Sequence, residues 1–199
     1  MKIIVLGSGT CVPSLKRSSC SVLVHVGDAV VLLDSGAGTM RRLLEAGTSI
    51  DQVTHLLFSH LHPDHTGELA SFLFATKYPE NRRQRPLTLI AAKGFHDFYA
   101  GLCTAYGRWI EIEPDLMKIL ELTNSGPDHL DFPEFEMDSL PMDHTEQSLG
   151  YRLTSADGAS LVYSGDTEMC RNLISLAGKA DLLICESALP DEKKVPGHL

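Results

Sequence analysis

The sequence of 199 residues has no apolar run long enough to cross a bilayer and no Cys-x-x-Cys pair. Its longest apolar runs, residues 30–33 and 181–185, have the length of strands, and the first residues lead into a glycine turn instead of a signal-peptide core. The five cysteines are dispersed, which argues against a disulfide framework or a thiolate zinc site, so we expect reduced and mostly buried thiols. These absences predict a soluble, cytoplasmic protein without membrane contact.

Positive charge is also scarce. Lysine and arginine number 17 against 26 aspartate and glutamate residues, and the net charge is −9. Affinity for nucleic acid comes mainly from basic side chains that neutralise phosphates, so this balance disfavours a large polyanionic partner but leaves a small anionic substrate open. With 43% hydrophobic residues, the chain can bury the core of a single domain that spans residues 1–199.

The most specific stretch of the sequence is residues 59–65, directly after the apolar residues 56–58. Within six consecutive residues it contains His60, His62, Asp64 and His65. Imidazole nitrogens and a carboxylate suit zinc, manganese or iron(II), and two adjacent ions would fit such a cluster. Scattered surface histidines are the alternative, but three of the nine histidines beside one aspartate make chance clustering a poor explanation. The stretch predicts a metal site.

The hydrophobic pattern predicts strands alternating with a few helices. Strands are predicted at residues 3–6, 21–26, 29–33, 54–58, 87–91, 118–122, 135–142, 149–153, 160–163 and 181–185. Helices are predicted between Thr39 as N-cap and Gly47, and at residues 66–75, 94–107 and 168–177. Residues 123–133 are rich in Asn, Ser, Gly, Pro and Asp, so they are predicted to form a loop in which His129 has no identifiable partner.

Several polar residues allow a structural and a functional interpretation. Asp34 could cap the turn after its strand, Asp166 could cap the helix at 168–177, and His144 alone would be an ordinary loop histidine. His55, in the middle of a strand, is predicted to be a packed histidine rather than a ligand. The basic loop at residues 77–86 could hold phosphate, but a solvated surface loop is the commoner arrangement and is predicted here.

Five segments, in order, carry a resemblance that extends over nearly the whole chain. They are residues 6–10 with Pro13 and Arg17, then 33–39, 59–67, 86–89 and 163–167. Together they resemble the metallo-β-lactamase-fold hydrolases, most of all the ribonuclease Z and phosphodiesterase branch. The resemblance, and the two groups of strands that are each followed by helices, imply a four-layer αβ/βα sandwich with its ligands on loops at strand ends.

The resemblance also implies a set of site residues. One ion would be held by His60, His62 and His144 and a second by Asp64 and His65, with Asp166 shared between them, and zinc is expected with manganese or iron as alternatives. Two such ions activate a bridging water and clamp a phosphoryl oxygen. Asp34 would orient a ligand imidazole, and Asp64 would orient the nucleophile or take its proton. His198, paired with Glu186, would donate a proton to the leaving group.

The implied activity is hydrolysis of a small or cyclic nucleotide-like phosphodiester. Enzymes of the ribonuclease Z type carry a long tRNA-gripping arm between the ligands matched here by His144 and Asp166, which lie only 22 positions apart. Cleavage of precursor tRNA is therefore the first alternative. A second alternative is a thioesterase or lactonase, because enzymes of this fold with those activities use a similar His-x-His-x-Asp-His loop.

The C-terminal end of the sequence suggests a further alternative. The resembling enzymes continue beyond a Gly-His segment, here Gly197 and His198, to another strand and a last histidine ligand. We therefore expect a C-terminally incomplete domain, which could be an inactive module. An uncovered sheet edge would also favour a homodimer.

Overall fold

The computed structural model describes residues 1–188, 191–193 and 195–199 and contains two β-sheets. The strands are β1 (Lys2–Gly7), β2 (Ser21–Val26), β3 (Ala29–Leu33), β4 (His55–Leu57), β5 (Leu87–Ala92), β6 (Met117–Leu122), β7 (Asp128–Asp131), β8 (Phe135–Pro141), β9 (Leu149–Ser155), β10 (Ser160–Tyr163) and β11 (Leu182–Ile184). The α-helices are α1 (Thr39–Glu45), α2 (Pro63–Thr66), α3 (Leu69–Ala75), α4 (Phe95–Tyr106) and α5 (Arg171–Ala177). Short 3-10 helices lie at Ile50–Gln52, Pro79–Asn81, Gly107–Trp109 and Asp191–Lys193.

In both sheets, strands that are consecutive in the chain are neighbours. The first sheet has the order β1-β2-β3-β4-β5-β6, in which β1, β2 and β3 are antiparallel neighbours and β3 to β6 are parallel. Parallel neighbours need crossover connections, and α1, α3 and α4 lie in those between β3 and β6. The second sheet has the order β11-β10-β9-β8-β7 and is antiparallel except between β10 and β11.

Three apolar clusters hold these layers together. The first joins one face of the first sheet to the helices, as in the packing of Leu32 with Phe72 and Phe95. The second lies between the two sheets, and the third joins the second sheet to α5 through Val162 and Leu173. The layers therefore run helix, sheet, sheet, helix, which confirms the predicted four-layer αβ/βα sandwich.

Strands β2 and β3 are buried on both faces, which explains their nearly unbroken apolar sequences. Val22 and Val31 face the second sheet, whereas Leu23 and Leu32 face the helices. Successive side chains of a strand point to opposite faces, so a strand with helices on one side and a sheet on the other needs apolar residues at every position.

The predicted start of α1 is wrong by one residue. Gly38 occupies the N-cap position with φ 92°, and Thr39 is the first residue of the helix. A side chain distant in sequence does the capping: the two carboxylate oxygens of Glu68 accept hydrogen bonds from the backbone N–H groups of Gly38 and Met40, at 2.7 and 2.6 Å. The predicted helix at 168–177 likewise begins only at Arg171.

The predicted loop at residues 123–133 contains a strand, and this part of the prediction is wrong. Strand β7 pairs antiparallel with β8, and His129 lies directly opposite Asp138. The imidazole contacts Asp138 at 2.7 Å and Asp131 at 3.1 Å, so His129 has two partners, and these hydrogen bonds raise its pKa. Residues 128–131 form a strand despite their polar sequence, because they pair with the next strand of the chain.

The predictions for the cysteines and for the basic loop also need correction. All five cysteines are free, but only Cys170 is buried, so the thiols are not mostly buried. In the loop at 77–86, Arg82 and Arg85 are exposed as predicted, whereas Arg83 is only 2% exposed. Within the described ranges, no helix has the length and apolar character needed to span a membrane.

The Arg83 guanidinium is a structural cross-link rather than a solvated charge. It donates to the carbonyl oxygens of Ile50 and Val53, both at 2.7 Å, and lies over the ring of Phe72. Burial lowers the pKa of Arg83 to about 10, so the group stays charged at neutral pH. Its hydrogen bonds fix the backbone that leads into β4, and therefore the strand that precedes the metal-binding stretch.

We expect Arg83→Met to lower the free energy of unfolding by about 3 kcal/mol, because it leaves two buried carbonyl groups without donors. Urea denaturation followed by circular dichroism measures this change. Arg82→Met, in the same loop but exposed, is the control and should change stability by less than about 0.5 kcal/mol. Equal small effects from both variants would contradict the structural role of Arg83.

Candidate metal centre

The candidate site lies where strands of both sheets end. Parallel strands β3 and β4 are neighbours, so the residues that follow them, Asp34 and Ser59, lie side by side at one edge of the first sheet. The turn after β8 brings in His144, and the turn after β10 brings in Asp166. Residues far apart in the sequence therefore meet at one end of the sandwich.

The imidazoles of His60, His62 and His144 form the first group of potential metal ligands, called the first ligand group below. Their ligand atoms lie within 4.8 Å of one another. His62 Nδ1 is 3.0 Å from His60 Nε2 and 3.2 Å from His144 Nε2. Burial and the neighbouring His65 lower the pKa of His60 to about 3, and burial and His144 lower that of His62. Both rings are thus neutral at pH 7, the form that binds a metal.

Hydrogen bonds at the outer ring nitrogens set the tautomers of two of these histidines. The Ser59 hydroxyl donates to Asp34 at 2.7 Å, so it accepts from His60 Nδ1 at 3.1 Å. His144 Nδ1 donates to the carbonyl oxygen of Gly197 at 2.8 Å. In both rings the proton is held at Nδ1, so the Nε2 lone pair faces the centre, as it must to bind a cation.

A second ligand group contains His65, Asp166 and Cys20, whose ligand atoms also lie within 4.8 Å of one another. His65 Nε2 lies 3.3 Å from one oxygen of Asp166. The other oxygen of this carboxylate is 4.0 Å from His60 Nε2 and from His144 Nε2. Asp166 therefore lies between the two ligand groups, and His65 lowers its pKa to about 2 even though burial alone would raise it.

The fully buried carboxylate of Asp34 is connected to both groups by hydrogen bonds. One oxygen accepts from the Ser59 backbone N–H at 2.7 Å. The other accepts from Ser59 Oγ at 2.7 Å, from His65 Nδ1 at 2.7 Å and from the Tyr163 hydroxyl at 2.6 Å. Asp34 also has a left-handed backbone, with φ 60°, which aspartate tolerates better than most residues. It therefore holds the imidazole of His65 directly and that of His60 through Ser59, instead of capping a turn.

His65 shows that the centre fits a cation. Burial alone would lower its pKa, but Asp34 and Asp166 outweigh that effect and raise the pKa to about 10, so the ring is an imidazolium. Its Nε2 atom is completely buried and lies 3.3 Å from an oxygen of Asp166, without the geometry of a hydrogen bond. A poorly aligned ion pair satisfies this buried nitrogen only in part, whereas the neutral ring would offer it to a metal ion.

The remaining predicted residues occupy different positions around the centre. His198 Nδ1 contacts the two oxygens of Glu186 at 3.0 and 3.1 Å and lies 3.9 Å from Asp166. Together with His144 and Asp166, His198 forms a third group of potential ligands. Asp64 lines the adjoining cavity, but among the described residues its carboxylate belongs to none of the three groups.

Sequence reasoning missed Cys20 as a member of the centre. Cys20 belongs to no motif, and it lies 45 positions before His65. A signal existed in the strand pairing: Val22 pairs with Leu33, so the residues just before β2 lie beside those just after β3. A half-buried thiol at that strand end therefore shares the edge of the sheet with Asp34.

A cavity of about 530 Å³ opens beside the second ligand group. Its wall includes the glycine turn at residues 7–9, the acidic groups of Asp64, Asp166 and Glu186, and the thiol-bearing Cys20. Of the described residues that line it, Arg17 alone is a lysine or arginine. The volume is that of a small-molecule site, and the guanidinium of Arg17 offers a partner for an anionic group.

The αβ/βα sandwich and the histidine and carboxylate groups at its edge define a metal-dependent hydrolase of the metallo-β-lactamase fold. The family described as anti-Pycsar protein Apyc1 matches residues 1–195, and the chain belongs to this family. The chain is also 31% identical, over 195 residues, to a ribonuclease Z of Mycobacterium sp. strain KMS. That match covers 92% of the chain and 67% of the length of the mycobacterial protein.

Solved structures agree with the fold. Human tRNase Z, short form, superimposes with a TM-score of 0.83 at 22% identity, over 100% of this chain and 83% of the human chain. The metallo-β-lactamase fold protein YhfI of Bacillus subtilis gives 0.81 at 19% identity, over 98% and 76% of the two chains. The predicted resemblance to the ribonuclease Z and phosphodiesterase branch is confirmed.

We expect Asp34→Asn to weaken zinc binding about 10- to 100-fold, the usual effect of losing a carboxylate that orients a ligand imidazole. Asparagine keeps the shape and tolerates the left-handed backbone, so the change removes the charge and little else. Competition with a chromophoric chelator measures the affinity. Asp181→Asn is the control, because Asp181 binds Ser160 outside the centre. Unchanged affinity in Asp34→Asn would contradict this role.

Proposed function

We propose that the chain is a phosphodiesterase that hydrolyses a small or cyclic nucleotide-like phosphodiester with two divalent metal ions. The observation that supports this proposal most directly is the position of Asp166. Its oxygens lie 3.3 Å from His65 Nε2 and 4.0 Å from the Nε2 atoms of His60 and His144. One carboxylate between two ligand groups, beside a small cavity, is an arrangement suited to a shared pair of ions. Zinc is the proposed metal, with manganese or iron as alternatives.

In this proposal the two ions lie on either side of Asp166. His60, His62 and His144 hold the first, His65 and Asp64 hold the second, and Asp166 is shared. When bound, the two ions polarise a phosphoryl oxygen and make water acidic enough to attack near neutral pH. Asp64, at the cavity wall, orients the attacking water or takes its proton.

His198 and Glu186 serve the leaving group in this proposal. Because His198 Nδ1 donates to Glu186, the Nε2 atom on the other side of the ring is left for a substrate. Both residues line the cavity. The Glu186 carboxylate fixes the orientation of the His198 ring, which can then give an Nε2 proton to the departing oxygen. We propose that His198 is the general acid and that Glu186 orients it.

The size and charge of the cavity favour a small nucleotide over a nucleic acid. A volume of about 530 Å³ suits one ligand of nucleotide size, and Arg17 can bind its phosphate. The net charge of −9 disfavours a long polyanion. Between His144 and Asp166 the chain forms only the β9 and β10 hairpin, which has no room for a tRNA-gripping arm.

Precursor-tRNA cleavage is the second candidate, and one observation favours it: the 31% identity to a protein named ribonuclease Z. The family description favours a different setting, in which the chain acts against Pycsar. We propose the cytoplasm as its location. A substrate panel separates these candidates.

The panel consists of 3′,5′-cyclic nucleotides with each of the four RNA bases, a precursor tRNA and an acyl thioester, assayed with the zinc- or manganese-loaded chain. We expect conversion of a cyclic nucleotide to its monophosphate, and a loss of about 1,000-fold in kcat for Asp166→Asn. Site-specific cleavage of the tRNA, or hydrolysis of the thioester without any phosphodiester hydrolysis, would contradict the proposal.

We expect Arg17→Ala to raise KM for the cyclic nucleotide about 10-fold while kcat changes little, because it removes a charge-assisted contact to the bound phosphate. Steady-state kinetics measures both constants. Lys16→Ala is the control, since the neighbouring Lys16 carries the same charge but lies outside the cavity wall. Equal effects of the two substitutions would show that only the general surface charge matters.

A further inference from the structure

We propose that Cys20 is a thiolate ligand of the ion held by His65 and Asp166. The inference rests on the proposed metal centre and goes beyond it by adding a sulfur to ligands that are otherwise imidazole and carboxylate. It also gives Cys20, a cysteine outside any motif, a specific chemical role.

The first support is the convergence of three different donor atoms. Cys20 Sγ, a nitrogen of His65 and an oxygen of Asp166 lie within 4.8 Å of one another. In a tetrahedral zinc site with one Zn–S bond of about 2.3 Å and Zn–N and Zn–O bonds of about 2.0 Å, the ligand atoms are about 3.5 Å apart. The three atoms therefore need to close by little more than about 1 Å.

The second support is the orientation of His65. Its Nδ1 is held by Asp34 at 2.7 Å, and its completely buried Nε2 lies 3.3 Å from an oxygen of Asp166 without the geometry of a hydrogen bond. This nitrogen therefore faces Asp166, which belongs to the same group of potential ligands as Cys20. A buried ring nitrogen without a hydrogen-bond partner is itself a sign of a missing ligand.

The thiol of Cys20 is only weakly engaged elsewhere. Its one hydrogen bond goes to the Gly9 carbonyl oxygen at 3.4 Å, and sulfur is a weak donor. Cys185 lines the same cavity, but among the described residues its thiol belongs to none of the ligand groups. The position of Cys20, rather than the mere presence of a thiol, carries the proposal.

Binding has a simple chemical balance. The S–H bond of Cys20 and the Nε2–H bond of the protonated His65 ring break, sulfur–metal and nitrogen–metal bonds form, and both protons go to solvent, without any change in oxidation state. Thiolate is a soft ligand that favours zinc and cobalt over manganese or magnesium. The thiol of Cys20 would therefore help to select the metal at this position.

Cobalt(II) substitution tests the proposal, because thiolate–cobalt bonds give an intense near-ultraviolet charge-transfer band. Titration of the metal-free chain with cobalt(II) should produce this band together with weaker visible d–d bands. Cys20→Ser should abolish the charge-transfer band and keep the d–d bands, whereas Cys185→Ser should keep both. Cys20→Ser should also weaken the second zinc-binding step by at least about 10-fold.

The outcomes separate this inference from the proposed function on which it rests. Visible d–d bands without a charge-transfer band in the unmodified chain would overturn the role of Cys20 and leave the metal centre intact. Absence of every cobalt band would overturn both proposals. X-ray absorption of the unmodified, zinc-loaded chain is independent of any variant: a sulfur neighbour at about 2.3 Å supports the inference, and nitrogen and oxygen neighbours alone contradict it.

Discussion

The buried carboxylate of Asp34 is the constraint on which the centre depends. A carboxylate without contact to water is stable only when donors surround it, and Ser59, His65 and Tyr163 supply four hydrogen bonds. Asp34 follows β3 and Ser59 follows β4, whereas Tyr163 ends β10 in the other sheet. The same contacts therefore join the two sheets and orient the imidazoles, so that one hydrogen-bond network supports both the packing of the sheets and the candidate metal centre.

The protonation states around this network explain why a divalent cation suits it. His60 is held neutral, with a pKa of about 3, because burial disfavours its charged form. His65 is held charged, with a pKa of about 10, by Asp34 and Asp166, which outweigh its burial. The proton on the His65 ring thus supplies a positive charge between the carboxylates of Asp34 and Asp166. A metal ion at its Nε2 would take over that role. It would also lie beside Asp166, whose other oxygen is 4.0 Å from His60 Nε2.

Those parts of the centre that are encoded locally could be predicted from the sequence. The composition of residues 59–65 is itself specific. His144 and Asp166 could be assigned only because the family resemblance implies ligands after these strands; by position alone, His144 would be an ordinary loop histidine and Asp166 could cap a helix. Cys20, the capping of α1 by Glu68 and the burial of Arg83 could not be predicted, because each depends on residues about 30 or more positions away. Strand β7 escaped prediction for a different reason: its polar sequence resembles a loop, and only its pairing with the next strand, β8, makes it a strand.

The most direct test of the account is the number of metal ions that each chain binds. Native mass spectrometry of the protein, freed of metal and then titrated with zinc, measures this number together with the oligomeric state. A shared two-metal centre predicts two ions per chain at saturation, because two ligand groups meet at Asp166. Saturation at one ion, or no binding at all, would contradict a shared two-metal centre.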